Sequence, residues 1–290
     1  MPCMEFTPKI HRGTVLLVIL AMHFMVLVDS LPAVANSKLM VRQERATVDD
    51  FGLEPRQDIP GPLAKFPRGP LNQLLEIISS LPEGEKALDA VGKVLTPLQQ
   101  LLANAVDIDT TRDDLTQNAP CSDISVIFAR GTTEPGNVGL VTGPPFFDAL
   151  SEQLGNASLT VQGVDYPATF AGFNLNGTEG VPSMTAFIDQ AITSCPSTKL
   201  VMSGYSQGAL VVRSTADSLP AETMSKVNSI VTFGDPRNQT PITGGEGKTM
   251  VVCLADDSVC NGGFINVAHL TYGSEADAAA QFVVQQAGDQ

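Results

Sequence analysis

The chain has 290 residues, of which 43% are hydrophobic and 17% are charged, so it can bury a sizeable core in one large domain or two smaller ones. Its formal net charge of -14 argues against nucleic acid as a partner, because phosphate binding requires clustered lysine and arginine side chains. The sequence contains no such cluster.

The first 35 residues have the pattern of a secretory signal peptide. A basic stretch that ends at Arg12 precedes an apolar run over residues 15–28, and the small residues Ala-Val-Ala follow at 33–35. A membrane anchor is the alternative, but the run is shorter than the ~20 residues that span a bilayer. We therefore predict cleavage after Ala35, secretion to the extracellular space and no stable insertion into a membrane.

The segment from 36 to 118 changes character along its length. Residues 36–70 are rich in proline and scattered charges and lack periodicity, which is typical of a linker or a disordered stretch. Leucines then recur at helical spacing, and Thr96-Pro97 has the pattern of an N-cap followed by a first helical residue. We interpret the segment as a pro-region or helical extension; a helical hairpin that is integral to the catalytic domain is the alternative.

Cysteine usage agrees with export. Cys3 lies in the leader, and the other four cysteines are Cys121, Cys195, Cys253 and Cys260. An even number in a secreted chain indicates two disulfides, for which three connectivities are possible. The short spacing of Cys253 and Cys260 favours their pairing, which leaves Cys121 with Cys195. The sequence also contains three N-glycosylation sequons, at Asn156, Asn176 and Asn238.

From residue 119 to 290, short apolar runs rich in β-branched residues alternate with helical patterns. The runs lie at 124–129, 159–164, 200–203, 230–233 and 250–254. The helical patterns lie at 146–154, 184–193, 207–219 and 276–286. This alternation predicts one α/β domain with three layers, in which a parallel sheet of about five strands has helices on both faces. An active site is then expected at the carboxyl ends of the strands.

The sequence Gly204-Tyr-Ser206-Gln-Gly208 follows one of these apolar runs and opens the helical pattern that begins at Gln207. This is the strand–turn–helix context that a nucleophile elbow requires, and the two glycines allow the strand and the helix to approach each other. A bare G-x-S-x-G motif is weak evidence. In this context it predicts that Ser206 is a nucleophile.

A serine nucleophile needs a base, and His269 is the only histidine outside the predicted leader. In α/β-hydrolases the acid lies between the serine and the histidine along the chain. The candidates are Asp217, Asp235, Asp256 and Asp257. The last two share a short loop between two cysteines, and composition and spacing alone do not choose between them.

Two stretches resemble the signatures of fungal-type cutinases. Residues 196–208 are similar to the serine signature, and residues 253–269 are similar to the second, in which the aspartate stands four residues after the first cysteine. The resemblance extends from about residue 120 to the C-terminus. It implies an α/β-hydrolase fold, Asp257 as the triad acid, and a serine esterase that cleaves cutin-type polyesters and short-to-medium chain esters through an acyl-enzyme. The sequence departs from the family at Asn266, where an aliphatic residue is usual.

An oxyanion hole is expected from two donors. The amide of Gln207 follows the nucleophile at the start of a helix and would point at the developing negative charge. Residues 129–134 resemble the family's loop after the first strand, which carries an oxyanion-hole hydroxyl. This resemblance implies that Thr132 supplies the second donor.

Apolar residues in loops near the expected site predict an exposed apolar rim that could bind the surface of wax or polyester. The predicted substrate-binding residues are Leu140, Val141, Tyr205, Phe264, Ile265 and Val267. The alternative is that these side chains pack inward. Because no long insertion separates Ser206 from His269, we predict no lid domain.

Two other functions stay open at this point. An acetylxylan esterase has a similar fold and serine motif, although the resemblance there usually brings extra cysteines. A secreted interaction protein could use the fold as a scaffold only, and the complete triad argues against this.

We predict no metal and no organic cofactor, because the four cysteines and the histidine already have roles. The expected partner is an insoluble polyester or lipid ester, and the expected state is a monomer.

Overall fold

The structure is a computed structural model, and it describes residues 59–82, 85–117 and 119–288. The predicted signal peptide and most of the predicted linker lie outside the described residues. The sheet and the helices that precede it belong to one compact unit, Gln57–Gln290. None of the helices within the described ranges has the length and apolar character needed to cross a membrane.

Helices and strands alternate through the chain from residue 119 onward, as the sequence predicts. The helices are α1 (Arg68–Ser79), α2 (Glu85–Ala105), α3 (Gly143–Leu154), α4 (Phe170–Asn174), α5 (Val181–Ser194), α6 (Gln207–Ser218), α7 (Ala221–Ser225) and α8 (Ala276–Gly288). The strands are β1 (Ile124–Ala129), β2 (Leu159–Gly163), β3 (Lys199–Tyr205), β4 (Val227–Phe233) and β5 (Thr249–Val252).

The five strands form one parallel sheet in the order β2-β1-β3-β4-β5. This confirms the predicted parallel sheet. In the register of β1, β3 and β4, Ala129 lies opposite Gly204 and Tyr205 lies opposite Phe233. The carboxyl ends of the three central strands therefore meet at one edge, where the loop after β1 and the turn after β3 emerge.

Successive side chains of the strands face two separate hydrophobic cores, as the pleat of a strand requires. In β1, Val126 and Phe128 join a core that includes α3 and α8, whereas Ile127 and Ala129 join a core that includes α5 and α6. Burying a large apolar side chain contributes about 1.5–3 kcal/mol of transfer free energy. The alternation therefore holds helices on both faces and confirms the predicted three-layer architecture.

The helices α1 and α2 pack into the same core as α3 and α8. The buried apolar residues that they add to this core are Leu71, Leu74, Leu75, Ile78, Leu95, Leu98, Leu102 and Ala103. The helical spacing predicted for these leucines is confirmed, but the predicted helix start at Thr96 is wrong, since Thr96 and Pro97 lie inside α2. Proline removes one helical hydrogen bond, and here tertiary contacts of α2 keep the helix continuous.

Candidate active site

Ser206 occupies the sharp turn between β3 and α6. Its backbone is left-handed, with φ 56° and ψ -117°, and its amide donates to the carbonyl oxygen of Phe233 at 2.8 Å. Such a conformation costs about 1–3 kcal/mol and persists only where the surroundings enforce it. A Cβ on Gly204 would lie 2.3 Å from the Gly208 carbonyl oxygen, and one on Gly208 would lie 1.9 Å from that of Ala129. The glycines of the motif are thus required by close approach of strand and helix.

The carboxylate of Asp257 lies against the imidazole of His269. Asp257 Oδ2 and His269 Nδ1 are 2.7 Å apart, and both side chains are buried. Asp257 also accepts hydrogen bonds from the Tyr272 hydroxyl at 2.6 Å and from the Val259 amide at 2.9 Å. Burial opposes its ionisation, but the bond and charge of His269, with the other two donors, outweigh burial and lower the pKa of Asp257.

The contact between Asp257 and His269 determines which imidazole nitrogen is available to accept a proton. With Nδ1 donating to Asp257, the imidazole presents Nε2 as the atom that can accept a proton. His269 Nε2 is buried and has no hydrogen-bond partner among the described residues. Ser206 and His269 line the same cavity.

The other candidate acids have different partners. Asp256 is exposed, although it adjoins Asp257 in the chain. Asp235 is fully buried and pairs with Arg213 at 2.7 Å. Asp217 lies at the surface near Arg237. Of these four carboxylates, Asp257 alone contacts the imidazole of His269. This contact distinguishes Asp257 from the adjacent Asp256, which composition and spacing do not.

Both predicted disulfides are present. Cys121 pairs with Cys195, and Cys253 pairs with Cys260. The second bridge closes the turn that carries Asp257, whose amide also donates to the Leu254 carbonyl oxygen at 3.0 Å. The acid is thus attached to the end of β5 by a covalent ring.

The two predicted oxyanion donors are neighbours. Thr132 Oγ1 donates to Gln207 Oε1 at 3.0 Å, and both side chains are buried. Gln207 is the first residue of α6, so its amide lies at the positive end of a helix of three turns. The structure therefore brings together the residues predicted from the serine motif and from the loop after β1.

A residue that the sequence analysis did not single out, Glu134, organises this loop. It is 4% exposed, and its carboxylate accepts from the amides of Gly131 at 2.8 Å, Leu140 at 2.9 Å and Val141 at 3.0 Å. A buried carboxylate requires such donors, because burial of an unpaired charge is costly. The one acidic residue in the glycine-rich stretch 129–141 was the available signal.

Two residues of the predicted apolar rim are not exposed. Leu140 and Val141 are buried in the core, and their amides bind Glu134, although Val141 still lines the cavity beside Ser206. Tyr205, which is predicted to bind substrate, is also buried; its hydroxyl donates to the His269 carbonyl oxygen at 2.7 Å, and the residue lines the same cavity.

The loop before His269 agrees with the predicted rim in part. Phe264 is 79% exposed, whereas Ile265 and Val267 are half-buried and pack against the first core. Ile265 also lines the cavity beside Ser206. The apolar surface at the site is therefore narrower than predicted and is dominated by a single phenylalanine.

The cavity beside Ser206 is covered by the two N-terminal helices. Leu74 and Ile78 from α1 and Leu95 and Gln99 from α2 form part of its wall. The cavity is narrow, and Ser206 and His269 are 2% and 1% exposed. The prediction of no lid domain considered only the chain between Ser206 and His269, whereas these wall residues come from helices that precede the sheet.

The cover is hydrogen-bonded to the oxyanion loop at one residue. Thr96 Oγ1 donates to the Thr133 carbonyl oxygen at 2.7 Å, and Gln99 Nε2 donates to the same oxygen at 3.2 Å. Thr133 follows the predicted donor Thr132 and has a left-handed backbone, with φ 62°. Helix α2 therefore contacts the loop that carries the predicted oxyanion donor Thr132.

Comparisons with known proteins identify the family of the chain. The family model described as Cutinase matches residues 120–287. A cutinase of Botryotinia fuckeliana is 46% identical over 205 residues, which are 70% of this chain and 98% of the relative. A cutinase of Pyrenopeziza brassicae is 43% identical over 201 residues, 68% of this chain and 97% of the relative.

A solved structure of Trichoderma reesei cutinase in complex with a phosphonate inhibitor is also similar. It superposes with a TM-score of 0.66 at 41% identity and covers 75% of this chain and 97% of its own. The chain is therefore a serine carboxylic-ester hydrolase and belongs to the cutinase family.

Proposed function

We propose that this enzyme is secreted and cleaves cutin-type polyesters and related lipid esters through an acyl-enzyme on Ser206. One observation carries the assignment of the catalytic residues. His269 Nδ1 is bound to Asp257, its Nε2 has no partner among the described residues, and His269 and Ser206 line one cavity. The monomeric state stays a prediction.

The chemistry follows from this arrangement. His269 Nε2 takes the hydroxyl proton as Ser206 Oγ attacks the ester carbonyl carbon, and the carbonyl electrons move to oxygen. When the tetrahedral intermediate collapses, the alcohol leaves with the proton that His269 returns. Water then repeats the sequence on the acyl-enzyme and releases the acid. Asp257 fixes the tautomer and stabilises the imidazolium that forms in each half.

The developing oxyanion is expected to bind the Gln207 amide and Thr132. The Thr132 hydroxyl is committed to Gln207 Oε1, while Gln207 Nε2 is buried without a partner among the described residues. Exchange of the amide oxygen and nitrogen would let Nε2 donate to Thr132 Oγ1. The hydroxyl proton would then be available to the oxyanion.

The mouth of the site supports an apolar ester as substrate. An apolar cleft of about 90 Å³ adjoins Thr132. The large apolar residues in its wall are Leu81, Leu88, Phe170, Phe173, Val259, Phe264 and Ile265. Aliphatic chains gain from burial in such a cleft, whereas the acetylated sugar chain of xylan offers mostly hydroxyl groups. This feature favours polyester or lipid over the acetylxylan alternative.

The helices α1 and α2 are proposed to be a cover that moves during turnover. Ser206 and His269 are 2% and 1% exposed, and side chains of α1 and α2 form part of the wall beside them, so a shift of the helices would open the site to an ester. This proposal gives residues 59–105, within the predicted pro-region or extension at 36–118, a role at the active site.

A substrate comparison tests the proposal. One preparation of the secreted protein is assayed on cutin, on a soluble p-nitrophenyl ester and on acetylated xylan, with labelling by a phosphonate ester in parallel. We expect labelling at Ser206 and release of soluble products from cutin. Deacetylation of xylan without cutin hydrolysis would contradict the substrate, and absence of labelling would contradict the catalytic assignment.

A further inference from the structure

The catalytic base lies on a short element that needs external support. His269 belongs to one turn of 3-10 helix, Val267–Leu270, which follows exposed residues at 261–264. Such a turn is not stable by itself. Asn266 caps it, because its Oδ1 accepts a hydrogen bond from the His269 amide at 3.2 Å.

The side-chain nitrogen of Asn266 binds the residues on either side of Asp257. Asn266 Nδ2 donates to the Asp256 carbonyl oxygen at 2.7 Å and to Ser258 Oγ at 2.9 Å. These two residues flank Asp257 in the chain. One amide therefore joins the turn that carries the acid to the helix that carries the base. An aliphatic residue at this position could form none of these bonds.

We infer that Asn266 is a positioning residue that holds the backbones of Asp257 and His269 at the separation their hydrogen bond requires. The inference rests on the proposed function, since it concerns the same triad. Tyr205 binds the His269 carbonyl oxygen, and Tyr272 binds the Asp257 carboxylate. Among the described side chains, Asn266 is the one that binds the backbone on both sides of the pair.

The pH dependence of activity reports on this contact. The ionisable groups that face His269 are Asp257, Tyr205 and Tyr272, with Glu134 in the wall of the same cavity. Burial raises the pKa of both tyrosines, so they stay neutral over the working range. The residues that α1 and α2 contribute to the wall carry no charge. A looser contact with Asp257 would therefore weaken stabilisation of the imidazolium and move the acid limb of activity to lower pH.

Three variants separate the bridge from the helix cap. Asn266→Ser keeps a good N-cap but is too short to reach Asp256, and Asn266→Ala loses both functions. We expect kcat on a soluble ester to fall roughly 5–20-fold in both, with KM within about twofold and the acid limb lower by about half a pH unit. Ser258→Ala removes one of the two acceptors, and we expect less than about a threefold loss.

A double-mutant cycle gives the second readout. If Asn266 acts through the acid, Asn266→Ser should cost less than about twofold in an Asp257→Asn background. Wild-type kcat and acid limb in Asn266→Ser, or a full additional loss in the Asp257→Asn background, would overturn the inference. Thermal unfolding and thiol titration establish that each variant is folded with both disulfides. Phosphonate labelling of the wild type is measured alongside. An unlabelled wild type counts against the proposed function, whereas a labelled wild type with indifferent Asn266 variants counts against this inference.

Discussion

The cover and the triad meet at one cavity but are held in different ways. The cover, formed by α1 and α2, contacts the site through apolar side chains and through hydrogen bonds to Thr133. The triad is held by a disulfide, a buried carboxylate–imidazole pair and a strained turn between strand and helix. Neutral hydrogen bonds contribute about 0.5–1.5 kcal/mol each, whereas loss of one partner of a buried charge pair costs about 3–5 kcal/mol.

Because the two regions make separate contacts, a shift of the cover would leave the catalytic geometry in place. Such a shift must also disturb the leucines that α1 and α2 bury in the first core, each worth about 1.5–3 kcal/mol. The bonds of α2 to Thr133 can be exchanged for bonds to water when the helices move away. The bond between Asp257 and His269 does not involve the cover, and neither does the backbone of Ser206. The following predictions test whether the two regions are separable, from the largest expected effect to the smallest.

Ser206→Ala is expected to abolish ester hydrolysis, with a loss of about five orders of magnitude in turnover, because no other group can form the acyl-enzyme. The protein should stay folded, since the alanine side chain fits where serine does. Turnover on a p-nitrophenyl ester and thermal unfolding are the measurements. Retention of more than a small fraction of wild-type turnover would remove Ser206 from its assigned role.

Asp257→Asn is expected to lower turnover by roughly three to four orders of magnitude, because an amide favours the wrong imidazole tautomer. Asp256→Asn is the matched control at the adjacent, exposed position, and we expect less than about a tenfold loss there. Asp235→Asn should instead destabilise the fold by about 3–5 kcal/mol, since it leaves Arg213 buried without its partner. The assignment fails if Asp256→Asn is the inactive variant, or if Asp235→Asn is folded and inactive.

Activity is expected to fall about tenfold per pH unit on the acid side, because only neutral imidazole accepts the Ser206 proton. The pKa of Asp257 is lowered from its ordinary value of 3.8, so its contribution to stability is complete above about pH 4 and is lost as pH falls through the lowered value. Loss of activity at about pH 5 should therefore be reversible. Recovery after a jump to about pH 8, with unchanged unfolding behaviour, checks this, and irreversible loss at about pH 5 would contradict it.

The two regions also differ in how far the sequence predicts them. The elbow was predictable, because the serine motif and the strand before it make a local pattern. The contact between Asp257 and His269 needed a family resemblance or the structure, since adjacent aspartates look alike in sequence. The sequence left inward packing of Leu140 open as an alternative, and the structure favours it because the Leu140 amide binds the buried carboxylate of Glu134. The sequence also did not predict where α1 and α2 pack. Helical spacing identifies an apolar face of a helix, but it does not identify the surface against which that face packs.

Weakening the cover without altering the triad should raise activity on small substrates. Thr96→Val combined with Gln99→Ala removes the side-chain donors of α2 to the Thr133 carbonyl oxygen. An unpaired buried carbonyl costs about 1–3 kcal/mol in the closed state, whereas water can bind it once the helix moves away. The population with an open cavity then grows, and the apparent affinity for substrate rises with that population.

We expect kcat/KM for a short soluble ester to rise roughly threefold to tenfold, with the rate of phosphonate labelling rising in parallel. Asn104→Ala is the matched control, because Asn104 lies exposed on the same helix and bonds only to its neighbour Gln100. The acid limb of activity should not move in the double variant, since the contact between Asp257 and His269 is untouched. If activity and thermal stability fall together instead, α1 and α2 are a fixed part of the catalytic fold and do not act as a movable cover.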